Sequence, residues 1–279
     1  MKRKKITKPA VGRWLAGIVP FLFFLLIIIP VAWMVLSSLK ETNEIFANLW
    51  RLPEKWLFSN YAVAWKTGIS KYFMNSLIVT VLTCALNVVV CCLLAFALVA
   101  FEFRGKRIFQ MLAIGGLMFS PIVSLIPLYQ ELQALNLYDT RVGLILVYTA
   151  YQIPLCFMLT YNYFRGIDKA YIEAARMDGC NSLQILTKVF MPMSRPIIMT
   201  DIVLTAFYAW NEFSFALIFI NSDSKKTDPI GLLAFQGEMH AEWSVLLAGL
   251  TISAIPIIIF FIFTQKYFIA GLSSGGVKG

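Results

Sequence analysis

Six stretches of the chain run apolar for more than twenty residues, free of lysine and arginine except for Lys266 near the end of the last. They are Trp14–Leu39, Tyr72–Ala100, Ile108–Gln130, Val142–Phe164, Ile197–Ile220 and Val245–Phe268. A bilayer core about 30 Å thick takes roughly 20 such residues as a helix. The period-two alternation of a membrane β-barrel is absent. The pattern therefore predicts an all-α polytopic membrane protein, with six transmembrane helices forming one membrane domain over residues 1–279. The first stretch is far longer than the roughly 7–15 residues of a signal-peptide core, and no small-residue cleavage site follows it. It reads as a retained anchor.

Between the runs the polar segments are short, with one exception. Lys40–Lys71, Glu131–Arg141 and Asn221–Glu242 read as loops on one side, and Trp50, Trp56, Trp65 and Trp243 flank the runs where an interfacial belt would sit. Phe101–Arg107 is a tight turn on the other side. Pro30, Pro121, Pro127, Pro154 and Pro256 fall in or near the runs, and each removes a backbone donor and favours a kink. The exception is Arg165–Pro196, a polar, helix-prone insert between the fourth and fifth runs. Asp168 suits an N-cap for a helix over Lys169–Met177, which Gly179 can close. Asn181 or Ser182 can cap a second helix with Leu183, Leu186 and Phe190 on one stripe. Pro192 and Pro196 end the insert. Helices this short are marginal alone in water and need a surface to pack on. Ala174, Ala175 and Gly179 are small enough for another surface to approach the backbone. The insert is thus either a connector packed on its own membrane helices or a docking element.

Composition agrees with a membrane chain: 59% of the 279 residues are hydrophobic and 14% charged, against about 25% charged in a soluble domain. The net charge of +9 is a matter of placement. With six alternating spans, sixteen of the 24 lysines and arginines fall on the side of both termini and of the insert. The positive-inside rule then puts both termini in the cytoplasm; the expected location is the cytoplasmic (inner) membrane. This distribution is a topology signal rather than a nucleic-acid surface.

Candidate chemistry is sparse. There is no Gly-x4-Gly-Lys-Ser/Thr phosphate loop, no His-Glu-x2-His and no Gly-x-Ser-x-Gly. Cys84, Cys91, Cys92 and Cys156 lie inside runs and Cys180 in the insert, so neither a disulfide nor a zinc site is expected. The lone histidine, His240, has no evident metal partners. No metal and no cofactor are expected in this chain, and no enzymatic activity.

The insert carries a recognisable motif. "EAARMDGC" followed nine residues after the glycine by "VFMP" resembles the coupling loop of ABC importer permeases. Glu173, Ala174, Ala175, Gly179 and Pro192 match the pattern, with Asp178 inside it. Val189 and Met191 depart mildly from its Ile and Leu. "YFMNSLIVT", "AWNEFSFALIF" and the ending "YFIAGLSSGGVKG" are similar to carbohydrate importers of the maltose type, and to MalG-like permeases in particular, from about Trp14 to the end. The resemblance implies a cytoplasmic coupling helix between transmembrane helices 4 and 5 that docks on a separate ATPase. It implies a second permease subunit, an ATPase dimer carrying ATP and Mg2+, and an extracytoplasmic sugar-binding protein. The tail Ser274, Gly275, Gly276, too rich in small residues to fold alone, would reach toward the ATPase.

One acidic side chain stands out at membrane depth. Glu212 sits near the middle of the fifth run beside Trp210 and Asn211. A charge there costs roughly 3 kcal/mol, while a dozen Leu, Ile, Val and Phe residues return about 0.3–0.6 kcal/mol each, so the helix still inserts. Intramembrane carboxylates face a bundle interior or a water-filled path. Trp210, Asn211 and Glu212 are therefore candidates for the translocation path or its gate, with Glu212 weighted toward a helix-helix or gate contact. Tyr148, Tyr151 and Gln152 can line the same path or bond between helices. Asp201 is expected near the membrane surface, hydrated or paired with Arg195. The expected function is the permease subunit of an ATP-driven sugar or oligosaccharide importer. The alternatives are an ABC permease for another solute, such as a polyamine or phosphate, an ion-coupled carrier, or an intramembrane enzyme.

Overall fold

The computed structural model describes the backbone of residues 10–48, 50–238 and 242–276, and within them the side chains of 17–48, 50–233 and 242–265. His240 lies outside the described residues. The chain is a multi-pass, all-helical membrane protein, and among the described residues there is no strand. In chain order the helices are α1 Ala10–Ser38, α2 Thr42–Ala47, α3 Ser59–Ala64, α4 Ser70–Ala100, α5 Lys106–Gly115, α6 Pro121–Ala134 and α7 Arg141–Arg165. They continue with α8 Ala170–Met177, α9 Ser182–Ile185, α10 Met191–Met193, α11 Arg195–Asn211, α12 Ser214–Phe219, α13 Asp228–Glu238 and α14 Trp243–Gly276. Among the described residues four helices are long and apolar enough to cross a membrane as they stand, and six spans result if two bent pairs each count as one.

Two of the six apolar runs are broken where the sequence reading took them as continuous. The third is cut between α5 and α6, which meet at 109°. Ser120 precedes Pro121 and is extended, at ψ 132°, because the proline ring excludes the helical conformation from the residue before it. The fifth run ends its helix at Asn211, Glu212 is extended at ψ 128°, and α12 starts afresh at Ser214. The helices either side of Ser194 meet at 84°. Pro30, Pro127, Pro154 and Pro256 stay inside helices.

The described residues form two compact units, one of residues through Thr67 with Gln236–Ile252, the other of Gly68–Phe235 with Ser253 onward. In the first, the end of α1 is tied down by α3. Ser38 Oγ lies 2.7 Å from Tyr61 Oη, and Asn60 Nδ2 donates to Ser38 O at 2.8 Å and Lys40 O at 3.1 Å. Thr42 Oγ1 meets Ser244 Oγ at 3.1 Å, and the Phe46 and Trp243 rings pack edge to face. Trp50, Trp56, Trp65 and Trp243 are all exposed, as an interfacial belt requires.

The second unit is built on α4 packed along α7, with α11 against both. One core cluster gathers Phe96, Phe157, Phe164 and Phe190, and another Leu144, Tyr148, Phe215 and Phe219. Polar groups inside the helices are bonded across them: Asn87 Nδ2 donates to Thr205 Oγ1 at 2.7 Å, and Thr160 Oγ1 donates to Asp201 Oδ2. Asp201 is buried and pairs with Thr160 rather than Arg195, because α11 turns it inward onto α7.

At the starts of α4 and α7 the residues 221–226 are stapled to both helices. Asp139 accepts from the backbone of Asn221 and Ser222 at 3.0 and 2.9 Å and from Lys225 Nζ at 2.9 Å. Tyr72 Oη donates to Asp223 at 2.8 Å, and Asn75 Nδ2 donates to Ser224 O and Lys226 O. Burial by itself would raise the Asp139 carboxyl, but bonds from Ser222, Lys225 and Asn221 outweigh it and hold it well below the usual range. Lys71 beside Asp223 lowers that carboxyl as well.

Candidate functional site

The insert between α7 and α11 has two faces. α8 turns Ile172 and Ala175 into the core, and α9 and the turn after it add Ile185, Leu186 and Phe190. Phe190 is fully buried, edge to face with Phe96 of α4 and Phe164 of α7 at centroid distances of 5.1 and 5.2 Å. That aromatic clamp supplies the packing that helices of this length cannot supply for themselves. Local signals set the ends. Asp168 Oδ1 accepts from Ala170 N at 3.0 Å, one position before the N-cap Lys169. Gly179 adopts φ +79° and closes α8, with Cys180 N donating to Ala175 O at 3.0 Å. Asn181 and Gln184 form a reciprocal capping box, which holds the second helix to its start.

The outward face carries Tyr171, Ala174, Met177 and Asp178, three and four residues apart, with Glu173 and Gly179 beside them. Met177 is 89% exposed and Tyr171 50%. A Cβ added at Gly179 would meet open space. Of the motif residues Glu173, Ala174, Asp178 and Gly179 are thus presented together, whereas Ala175 is buried and cannot touch another surface. Leu183, expected on the apolar stripe, points out at 62% exposure, and Ile185 takes its place in the core, where α9 passes into a wider π turn over Leu186–Phe190. The exposed Tyr171 and Met177 were overlooked in the sequence, although their spacing from Ala174 was readable.

Glu212 lies in the gap between α11 and α12 and is buried. Its Oε1 accepts from Phe215 N at 2.8 Å, and its Oε2 from Ala216 N at 3.1 Å and Tyr148 Oη at 2.6 Å. The carboxylate therefore caps the first turn of α12, where unbonded amides and the helix dipole favour negative charge. The same group ties that turn to α7. Tyr148, one of the polar residues of the fourth run, is its helix-helix partner. Tyr151 packs on Phe215 at 4.9 Å, and Gln152 is buried nearby on α7. Trp210 is buried, donating from Nε1 to Ser253 O at 3.2 Å and standing edge to face with Phe73. It lines a cavity of about 530 Å³ whose other walls, among them Leu77, Ile202 and Phe260, are apolar apart from Thr80. Asn211 is exposed, with its amide on Phe207 O of its own helix. The structure brings Glu212 to Tyr148 and leaves Asn211 apart from both.

The backbone of α14 runs through Ser274, Gly275 and Gly276, where a separate tail was expected. Propagating an existing helix is far easier than starting one. Among the described residues no group of three or more His, Cys, Asp or Glu side chains could hold a metal ion.

Residues 93–274 match the family model described as binding-protein-dependent transport system inner membrane component. The chain is 47% identical to the probable ABC transporter permease protein YurM of Bacillus subtilis, over all of this chain and 93% of that protein. It is 31% identical to the diacetylchitobiose uptake system permease protein NgcG of Streptomyces coelicolor, over 91% of this chain and 85% of that one. Among solved structures it is similar to a chain of a bacterial ABC transporter involved in the import of the acidic polysaccharide alginate. That likeness has a TM-score of 0.82 and 25% identity, and covers 95% of this chain and 100% of the other.

Proposed function

The chain belongs to the family of binding-protein-dependent transport system inner membrane components, and from that premise we propose that it is the membrane-spanning subunit of an ATP-driven importer of sugars or oligosaccharides. The relatives' named cargoes, diacetylchitobiose and alginate, are both built of sugars, and they support this class over polyamines or phosphate. The subunit forms the translocation path with a second permease and receives its cargo from an extracytoplasmic binding protein. It sits in the inner membrane with both termini cytoplasmic. ATP and Mg2+ are held by a separate ATPase dimer.

The observation that carries the reading is the two-faced insert. Phe190, Ile185 and Ile172 root it between the membrane helices, while Glu173, Ala174, Asp178 and Gly179 face outward around the exposed Tyr171 and Met177. A surface rooted in this way can pass a push from an ATPase directly into α4 and α7. Ser274, Gly275 and Gly276 at the end of α14 add a second contact toward the same partner. Trp210 and Glu212 belong to the gate: Glu212 positions α12 against α7 through Tyr148, and with both oxygens engaged it does not serve as a sugar ligand. Asn211 is the member of that trio left to face the path.

The test is uptake of a labelled oligosaccharide into proteoliposomes holding the complete transporter. Uptake is expected to need ATP and the binding protein and to survive collapse of ion gradients. Uptake that follows an ion gradient without ATP would assign the chain to carriers instead.

A further inference from the structure

Where α4 and α7 end and α5 begins, their last turns enclose a cavity of about 510 Å³. Its rim holds Lys106, Arg107, Arg165 and Lys169 against a single carboxylate, Glu102, which leaves three net positive charges. Lys106 Nζ is spent on Glu102 at 3.0 Å and on Phe101 O at 3.4 Å. Its hydrogen bond, with the nearby Lys169 charge, holds the Glu102 carboxyl below its ordinary range. Arg107 and Arg165 have no hydrogen-bond or ion-pair partner among the described residues. Two unpaired guanidiniums converging on one concavity repel each other unless an anion joins them, and their planar donor forks match phosphate oxygens.

The wall below the rim is of another kind. Leu98, Val99 and Tyr161 come from the final turns of two membrane helices. α5 leads away from the rim with Ile108, Phe109 and Leu112 exposed at 63%, 56% and 71%. A free phosphate has no use for apolar walls, whereas a molecule with an anionic head and hydrocarbon chains uses both parts. The cavity also lies where two helices long and apolar enough to cross a membrane come to their ends, and basic pockets between membrane helices at the cytoplasmic side bind anionic lipids.

We propose that this cavity is a site for an anionic phospholipid, with the headgroup phosphate between Arg107 and Arg165 and the acyl chains along Val99 and the exposed face of α5. The site rests on the membrane-spanning fold and holds whatever the cargo is. Glu102 tunes it by holding Lys106 back from the phosphate.

The experiment is native mass spectrometry of the full chain, purified with its associated subunits and exposed to phosphatidylglycerol or phosphatidylcholine. Wild type is expected to retain phosphatidylglycerol preferentially. Arg107→Ala combined with Arg165→Ala should lower that retention about tenfold or more and leave phosphatidylcholine retention unchanged. Glu102→Gln should raise it. Both arginines are solvent-facing, so the melting temperature should not move; retention by wild type should in any case fall steeply as ionic strength rises. Equal retention of the two lipids, or unchanged phosphatidylglycerol retention in the double variant, would overturn the proposal. So would displacement of phosphatidylglycerol by inorganic phosphate as effectively as by a second anionic lipid, which would make the site one for free phosphate. Loss of the ATPase from the double variant with lipid retention intact would make it a protein contact.

Discussion

Glu212 lies buried between two membrane helices and gives its two oxygens to three donors, whereas the carboxylate of Glu173, on the outward face of α8, has no hydrogen-bond or ion-pair partner among the described residues. Both are glutamates in a chain with few charges. The first completes its hydrogen bonding within the chain, so its chemistry is architectural: it starts α12 and fixes it to α7. The second is held in place by the helix that carries it, which Ile172 and Ala175 anchor in the core. Its surroundings are rigid while its own carboxylate is unspent. Mutating the first should therefore cost structure, and mutating around the second should cost a partner.

The sharpest way to break this contrast is Glu212→Leu. It strands the Tyr148 hydroxyl and the amides of Phe215 and Ala216, and each stranded donor costs about 1–3 kcal/mol. We expect a large fall in melting temperature with loss of uptake. Glu212→Gln keeps one acceptor for Phe215 N, and the Tyr148 hydroxyl can turn to accept from the new amide. Only Ala216 N then loses its bond, for roughly 1 kcal/mol, and much of the uptake should survive. Equal damage from both substitutions would point to the charge itself, and a raised half-saturation concentration for both with maximal rate intact would make Glu212 a sugar ligand.

Asp228 extends the comparison to a buried carboxylate that is not fully satisfied. Burial raises it to about 6, with a hydrogen bond to Ser253 pulling the other way. Its Oδ1 has no partner among the described residues. Because the folded state holds its proton more tightly than the unfolded one, the contribution of Asp228 to stability should be fully present below the unfolded value of 3.8 and be lost as pH rises through about 6. The fall is worth about 2–3 kcal/mol at most. Melting temperature against pH should show that slope in wild type and lose it in Asp228→Asn. A flat wild-type profile would mean that the carboxylate is ionised and solvated in the folded protein.

A smaller effect is expected at the start of α4. Lys71 and Asp223 form an ion pair with side chains 43% and 48% exposed, so solvent screens most of it. Lys71→Ala should cost less than about 1 kcal/mol, and that small difference should vanish in high salt. A larger loss would mean that the staple of residues 221–226 carries the helix ends to a degree that exposure does not reveal.

The four helices long and apolar enough to cross a membrane as they stand were legible from run length alone, since a bilayer selects for length and hydrophobicity. The two breaks were not, because an apolar run records composition and not path. Ser120–Pro121 did carry a local signal, the constraint on a residue before proline. The break at Glu212 carried none: no glycine or proline lies between Ala209 and Phe215, and the partner that stabilises it, Tyr148, is 64 residues away. In the insert the caps at Gly179 and Asn181 were readable because they are local, and so was the exposure of Ala174. The burial of Ala175 and the outward turn of Leu183 depend on where Phe96 and Phe164 lie, which only the fold supplies. The staple around Asp139 was missed for the same reason, since it joins residues more than eighty apart.

The central claim is that the outward face of α8 is a docking surface on a rooted helix. The direct measurement is co-purification of the ATPase with Ala174→Trp, read beside the melting temperature of the same preparation. Ala174 faces solvent, so a bulky side chain there has room within this chain and should leave the melting temperature unchanged. Held against a partner, it would keep the two surfaces apart, and most of the ATPase should be lost. Retention of the ATPase with normal uptake, or a melting temperature that falls in step with the loss, would contradict the account.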